Sequence, residues 1–170
     1  LWEGLARGWV QTVATDHCPF WTDDRRRGVA GRPEGFADFT EIPGGLPGIE
    51  TRMSLVWQGV RAGRITVADW VRLCAEAPAR TFGLFPRKGC LRPGADADVV
   101  VWDPDRAQSL DAGALHMQVD HSPYEGRVVR GWPMLVLSRG RVVAREGRFC
   151  GERGWGRYVA RGAPDLAAVV

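Results

Sequence analysis

The residues of this chain best suited to chemistry stand in the run Thr15-Asp16-His17-Cys18-Pro19-Phe20, where a carboxylate, an imidazole and a thiol follow one another directly. An aspartate can ligate a hard metal ion, accept a proton from an attacking water, or return that proton to a leaving group. It can also do none of these and simply close a turn through its own backbone. The preceding run, Trp9-Val10-Gln11-Thr12-Val13-Ala14, has β-branched residues at 10, 12 and 13 and predicts a strand over 9–15, which Pro19 ends soon afterwards. An acid where a strand stops lies at the mouth of a sheet or barrel, where α/β enzymes keep their reacting groups. His17 points to the opposite side from Asp16 if the segment is extended, so it is read as a supporting or packing residue, with metal or substrate contact as the alternative. Cys18 has no basic partner nearby and is read as buried, while His116 and His121 are read as structural.

The elements that must hold this run can be read in order. The opening Leu1-Trp2-Glu3-Gly4-Leu5 looks like the middle of a helix and predicts that the chain begins inside a larger domain. Residues 21–48 read as loop, with Asp23-Asp24-Arg25-Arg26-Arg27-Gly28 as a charged tip and Pro33, Pro43 and Pro47 breaking any period. Within it, Gly44-Gly45-Leu46-Pro47-Gly48 brings bare backbone close to whatever lies above Asp16. Ile49, Met53, Val56 and Val60 mark one face of a helix over 49–62. A second helix over 66–77 is capped by Thr66 and turns Val67, Trp70, Val71 and Cys74 inward. Pro78 opens a short third helix that closes at Gly83, with Ala79 and Phe82 inward. After Pro86 the period changes: a brief strand and turn at Gly89–Gly94, a strand over Ala97–Trp102 stopped by Asp103-Pro104, and a hairpin of Met134–Leu137 with Val142–Ala144 around Gly140. The predicted domains are 1–86, 87–150 and a surface arm over 151–170.

The bulk numbers exclude several classes. With 45% hydrophobic and 25% charged residues the chain reads as an ordinary globular one, and nothing in it resembles a signal peptide or a membrane-spanning run. Cys18, Cys74, Cys90 and Cys150 show no Cys-x-x-Cys spacing, which argues against a zinc ribbon and a disulfide framework and for a reduced, cytoplasmic setting. Residues 127–161 hold nine arginines against Glu146 and Glu152, but without the aromatic interleaving of a nucleic-acid module. That run is read as a solvated or subunit-facing surface, with no nucleic-acid or membrane partner.

Thr15–Phe20, together with Leu46-Pro47-Gly48-Ile49-Glu50-Thr51-Arg52-Met53, resembles the dihydropyrimidinase/D-hydantoinase branch of the cyclic amidohydrolases. Gly94–Pro104 is similar to the strand that leads amidohydrolases from the barrel into a small β-sandwich, Val119–Gly126 again resembles the hydantoinase branch, and Gly154-Trp155-Gly156-Arg157-Tyr158 resembles its C-terminal arm. The resemblance implies an α/β fold class: the C-terminal part of a metal-dependent (β/α)8 barrel followed by part of a β-sandwich. It further implies two zinc ions, a cyclic amide substrate, a dimer or tetramer, and Asp16 as both zinc ligand and catalytic acid-base. Gly44, Gly45, Leu46, Pro47 and Gly48 then match the loop that holds the substrate ring through main-chain groups. Gly44 stands where the family often has Asn or Glu, so any contact from that position is a backbone contact. Allantoinase, dihydroorotase and a non-catalytic scaffold of the same fold are the alternatives.

The resemblance stops short of a full metal site. There is no His-x-His, the only histidines are His17, His116 and His121, and Lys88 lies in a Pro-Arg-Lys-Gly turn unlike the carboxylated lysine of the family. A catalytic zinc needs about three protein ligands, and Asp16 is one. The chain alone is therefore expected to show no ring opening with or without added zinc, and to bind a hydrophobic dye strongly through apolar surface that lacks its barrel neighbours. A monodisperse chain that melts cooperatively without dye binding is the outcome against this.

Overall fold

The computed structural model describes residues 1–22, 39–41, 44–165 and 167; the charged tip at 23–28, Pro33 and Pro43 lie outside the described residues. The chain folds as mixed α/β with a four-stranded sheet that does not close into a barrel. It divides into two compact units, one of residues 1–13, 56–106 and 131–170, the other of 14–55 and 107–130. No helix of the described residues is long and apolar enough to cross a membrane.

Helix α1 spans Trp2–Ala6 and α2 spans Arg52–Arg61, inside the expected 49–62. The next helical stretch is continuous where two helices were expected. It comprises α3 (Val67–Val71), a π turn (Arg72–Glu76) and α4 (Ala77–Thr81). Thr66 opens it with a reciprocal cap: its hydroxyl accepts from the Asp69 N–H, and the Asp69 carboxylate accepts from the Thr66 N–H at 2.9 Å. Hydrogen bonds from the Thr66 hydroxyl and backbone hold the Asp69 carboxyl below its usual range. Pro78 lies in the first turn of α4, as expected, and the π turn before it keeps the stretch continuous, the Ala77 N–H reaching back to the Arg72 carbonyl. Trp70, Leu73, Cys74 and Ala77 form the buried stripe, and Ala79 is buried after it. The expected inward residues Val67, Val71 and Phe82 are exposed instead, as is Ile49 ahead of α2.

The predicted strand over 9–15 is absent. Its β-branched residues suit a sheet, but a strand exists only as part of a ladder, and among the described residues 9–15 belongs to none. An isolated bridge just beyond it joins His17 to Leu46 in parallel. In Gly89–Gly94 the expected turn is present at Pro93-Gly94, but the brief strand before it is bend.

The sheet contains β1 (Val99–Ser109), β2 (Val128–Ser138), β3 (Arg141–Arg145) and β4 (Arg148–Phe149), in that spatial order. β1 runs through Asp103-Pro104, where the sequence predicted a stop. It is the outer strand, where a proline's missing donor does not interrupt a ladder on both sides. The expected β2–β3 hairpin forms around Arg139 and Gly140, both at positive φ (47° and 77°), and a bulge between Val136 and Leu137 shifts its register.

The core of the first unit is three tryptophans. Trp57 of α2, Trp70 of α3 and Trp102 of β1 all touch one another, with ring centroids 4.8 to 5.9 Å apart at tilted or edge-on angles. The Trp57 indole N–H donates to the Pro104 carbonyl at 3.3 Å. Gly131 of β2, at φ 106°, lies flat under Trp57, and a Cβ there would come 2.1 Å from the indole. The C-terminal arm docks on the same unit. Trp155 lies under Arg139 and Arg141, 4.3 and 4.4 Å from its ring, and Asp165 pairs with Arg80 at 2.6 Å.

Gly131→Ala is expected to lower stability by about 2–4 kcal/mol, combining overpacking with a strained φ. Gly147→Ala, also at positive φ (79°) but with open space around it, is expected to cost only the backbone part, about 1 kcal/mol. Thermal unfolding of both variants checks this, and equal losses would mean that the Trp57 contact is not decisive.

Candidate functional site

Asp16 sits at φ 46°, the left-handed region that aspartate tolerates better than most residues. Two turns of backbone meet there. Gly45, at φ 126°, packs so closely that a Cβ would lie 2.7 Å from the Cys18 Cβ and 2.9 Å from the Asp16 carbonyl oxygen. Glycine is the residue this contact permits, and the bare backbone expected to face whatever lies above Asp16 lies, at Gly45, against Asp16 and Cys18 themselves. The Cys18 N–H donates to the Leu46 carbonyl at 3.2 Å, which ties the acid's segment to the Gly44–Gly48 loop.

His17 fastens the far side of that loop. Its Nδ1 accepts from the Gly48 N–H at 3.1 Å and the Ile49 N–H at 3.3 Å. An Nδ1 that accepts leaves the proton of the neutral ring on Nε2, so neither nitrogen offers a free lone pair to a metal. His17 is thus a loop anchor. Cys18, expected to be buried, is half-buried because Gly45 covers only one side of it. Gly48 and Pro47 are buried, and Thr51 below them closes the turn by donating its hydroxyl to the Gly48 carbonyl at 3.0 Å.

The Val119–Gly126 motif holds the other end of the segment. The Asp120 carboxylate accepts from the Thr22 N–H at 2.9 Å and from the Thr22 hydroxyl at 2.8 Å. The His121 ring stacks 4.7 Å from Phe20 and shares a proton contact with Asp120. The Ser109 hydroxyl and the Gly126 N–H hold Asp111 below the usual carboxylate range. His116 pairs with Glu50 at 2.8 Å. His17, Ile49, Glu50, His116 and Met117 line an open groove of about 410 Å³, a cluster that the sequence alone did not assemble because its members lie up to a hundred residues apart.

The Asp16 carboxylate itself is exposed and makes no hydrogen bond or ion pair among the described residues. That sets it apart. Of the other carboxylates whose side chains are described, all but Glu146 accept a hydrogen bond or ion pair, so Asp16 is not spent on closing its own turn. No group of three or more His, Cys, Asp or Glu side chains able to hold a metal forms among the described residues.

Residues 1–143 match the Amidohydrolase family model. A D-hydantoinase of Streptomyces coelicolor is 46% identical over 162 residues, covering 95% of this chain and 33% of the relative. The crystal structure of dihydropyrimidinase from Brevibacillus agri matches with a TM-score of 0.87 at 41% identity, over 96% of this chain and 34% of that one. An L-hydantoinase (dihydropyrimidinase) from Arthrobacter aurescens matches at 33% identity with a TM-score of 0.81. The chain spans about a third of the length of these relatives.

His17→Ala removes the acceptor for two loop amides at once. Amide hydrogen exchange at Gly48 and Ile49 is expected to quicken by about tenfold or more, the equivalent of one lost buried hydrogen bond. Unchanged protection at both amides would mean that the imidazole does not hold the loop.

Proposed function

This chain belongs to the amidohydrolase family, in its dihydropyrimidinase/D-hydantoinase branch, and from that premise we propose that it is part of a zinc-dependent enzyme that opens the ring amide of dihydropyrimidines or 5-substituted hydantoins to give N-carbamoyl amino acids. The observation that supports this most directly is Asp16, exposed on a left-handed backbone with no partner among the described residues. Its hard oxygen fits a zinc ligand, and it is the one ligand this chain would supply, the others coming from the rest of the protein. Zinc, when bound, would polarise the ring carbonyl and make water a better nucleophile at neutral pH.

The chain's own residues account for the proton and the ring. Asp16 takes a proton from the attacking water as its oxygen adds to the ring carbonyl carbon, and passes it to the ring nitrogen as the C–N bond breaks. An amide nitrogen leaves only when protonated, so one carboxylate serves both halves of the step. Gly44, Gly45, Leu46, Pro47 and Gly48 present main-chain groups to the ring amide, and His17 fixes the Gly48 end of that loop. In the complete protein, 1–86 forms the end of the barrel, 87–150 part of a β-sandwich, and 151–170 the arm that meets neighbouring subunits in a dimer or tetramer.

The test is Asp16→Asn in the complete protein, assayed by ring opening of dihydrouracil or a 5-substituted hydantoin in the ultraviolet, with bound zinc counted in parallel. Asparagine keeps the size and one oxygen but cannot carry the proton. Activity is expected to fall by about 10²- to 10⁴-fold. Turnover within a few-fold of the unaltered protein would overturn the assignment and favour a turn residue in a non-catalytic relative.

A further inference from the structure

The arginine-rich run at 127–161 has no part in the reading above, and the structure splits it into two kinds of arginine. Arg139 and Arg141 are engaged: both lie on Trp155, and Arg141 pairs with Glu152. Arg145 and Arg148 are not. They stand directly opposite each other across the β3–β4 ladder, and neither makes an ion pair or hydrogen bond from its side chain among the described residues. Like charges directly opposite on a ladder repel and destabilise the pairing.

Arg106 brings a third guanidinium to the same place. It reaches from β1 across β2, where its Nη1 meets the Met134 sulfur at 2.9 Å, a soft and weak acceptor that leaves its charge uncompensated. Arg106, Arg145 and Arg148, with Glu146 and Cys150, line one cavity of about 560 Å³. Glu146, on the β3–β4 turn at φ 51°, lines the cavity without pairing with any of the three. Three positive charges therefore converge on one space with a single acid nearby.

We propose that this cavity is a binding site for a small phosphorylated anion of the diphosphate class, separate from the Asp16 site. The chemistry matches on three counts. Guanidinium groups bind phosphate oxygens through paired N–H donors with a geometry an ammonium cannot supply, and this surface carries arginine alone. Three arginines against one glutamate leave a net charge of about two, which suits a ligand carrying more than one negative charge. The volume exceeds that of a single phosphate and falls in the range of small-molecule sites, about 300–1,000 Å³. The cost of the Arg145–Arg148 opposition is relieved when an anion sits between them.

The probe is sodium pyrophosphate, titrated by calorimetry into the protein at constant ionic strength, with Arg145→Gln/Arg148→Gln and Arg141→Gln as variants. Saturable binding with a Kd below about 1 mM is expected. It should weaken by at least tenfold in the double variant and stay unchanged in Arg141→Gln. The double variant removes a repulsion, so its thermal midpoint should not fall, which separates lost binding from lost folding. Absence of saturation, or equal binding by the double variant, would overturn the site. A single-stranded oligonucleotide that displaces pyrophosphate and binds more tightly through the same arginines would overturn the small-anion assignment.

Discussion

The contact on which the first unit depends is the mutual packing of Trp57, Trp70 and Trp102. Each comes from a different element, so no two of α2, α3 and β1 can shift without breaking an aromatic contact. Aromatic pairs add about 0.5–1.5 kcal/mol each beyond the area they bury, and here three pairs close on themselves. Trp57 is further fixed from both sides, by its hydrogen bond to the Pro104 carbonyl and by the bare backbone of Gly131. That also explains why β1 continues through a proline. The Pro104 carbonyl is more use as an acceptor for Trp57 and Arg61 than it is a breach in the outer strand.

In the second unit the corresponding constraint is a close approach of backbones. Gly45 lies against Asp16 and Cys18, His17 accepts two amides from the loop beyond, and Asp120 accepts both polar hydrogens of Thr22. The segment carrying Asp16 is therefore pinned after it at three points by groups that are not themselves acids in search of a metal. Such a scaffold can hold a carboxylate at an unfavourable φ without using that carboxylate as part of the fastening.

What could be read from the sequence follows from how local each signal is. Thr66 as a helix cap and Gly140 as a hairpin residue are decided within a few residues, and both appear as expected. The resemblance of Thr15–Phe20 and Leu46–Met53 to one family likewise rests on local wording, and the matches to hydantoinases and dihydropyrimidinases bear it out. The strand over 9–15 was misread because β-branched composition records fitness for a sheet, while a strand requires a partner. Val67 and Val71 were misplaced for a related reason. A helix face is defined by its whole stripe, and Trp70, Leu73, Cys74 and Ala77 set that stripe one step away from the valines. The pairing of His17 with the loop amides and the opposition of Arg145 and Arg148 had no signature in spacing at all, since both arise from segments brought together only by folding.

The distribution of charge gives the two sites a common logic. This chain pairs its acids with care: Asp96 is held low by hydrogen bonds from Lys88 and Arg87, Asp98 takes the Arg139 N–H, and Asp165 takes Arg80. Asp16, Arg145 and Arg148, left outside that pattern together with Glu146 and Arg106, are then informative, because the same fold shows that partners were within its means. Asp16 lacks a donor among the described residues, while the amides of Gly48 and Ile49 in the facing loop are given to His17. Arg145 and Arg148 lack a carboxylate although Glu152 is near in sequence, and it is given to Arg141. Where a chain has the counter-charge and spends it elsewhere, the unpaired group is open to something that arrives from outside, and it is on this that the proposals for Asp16 and for Arg145 and Arg148 rest.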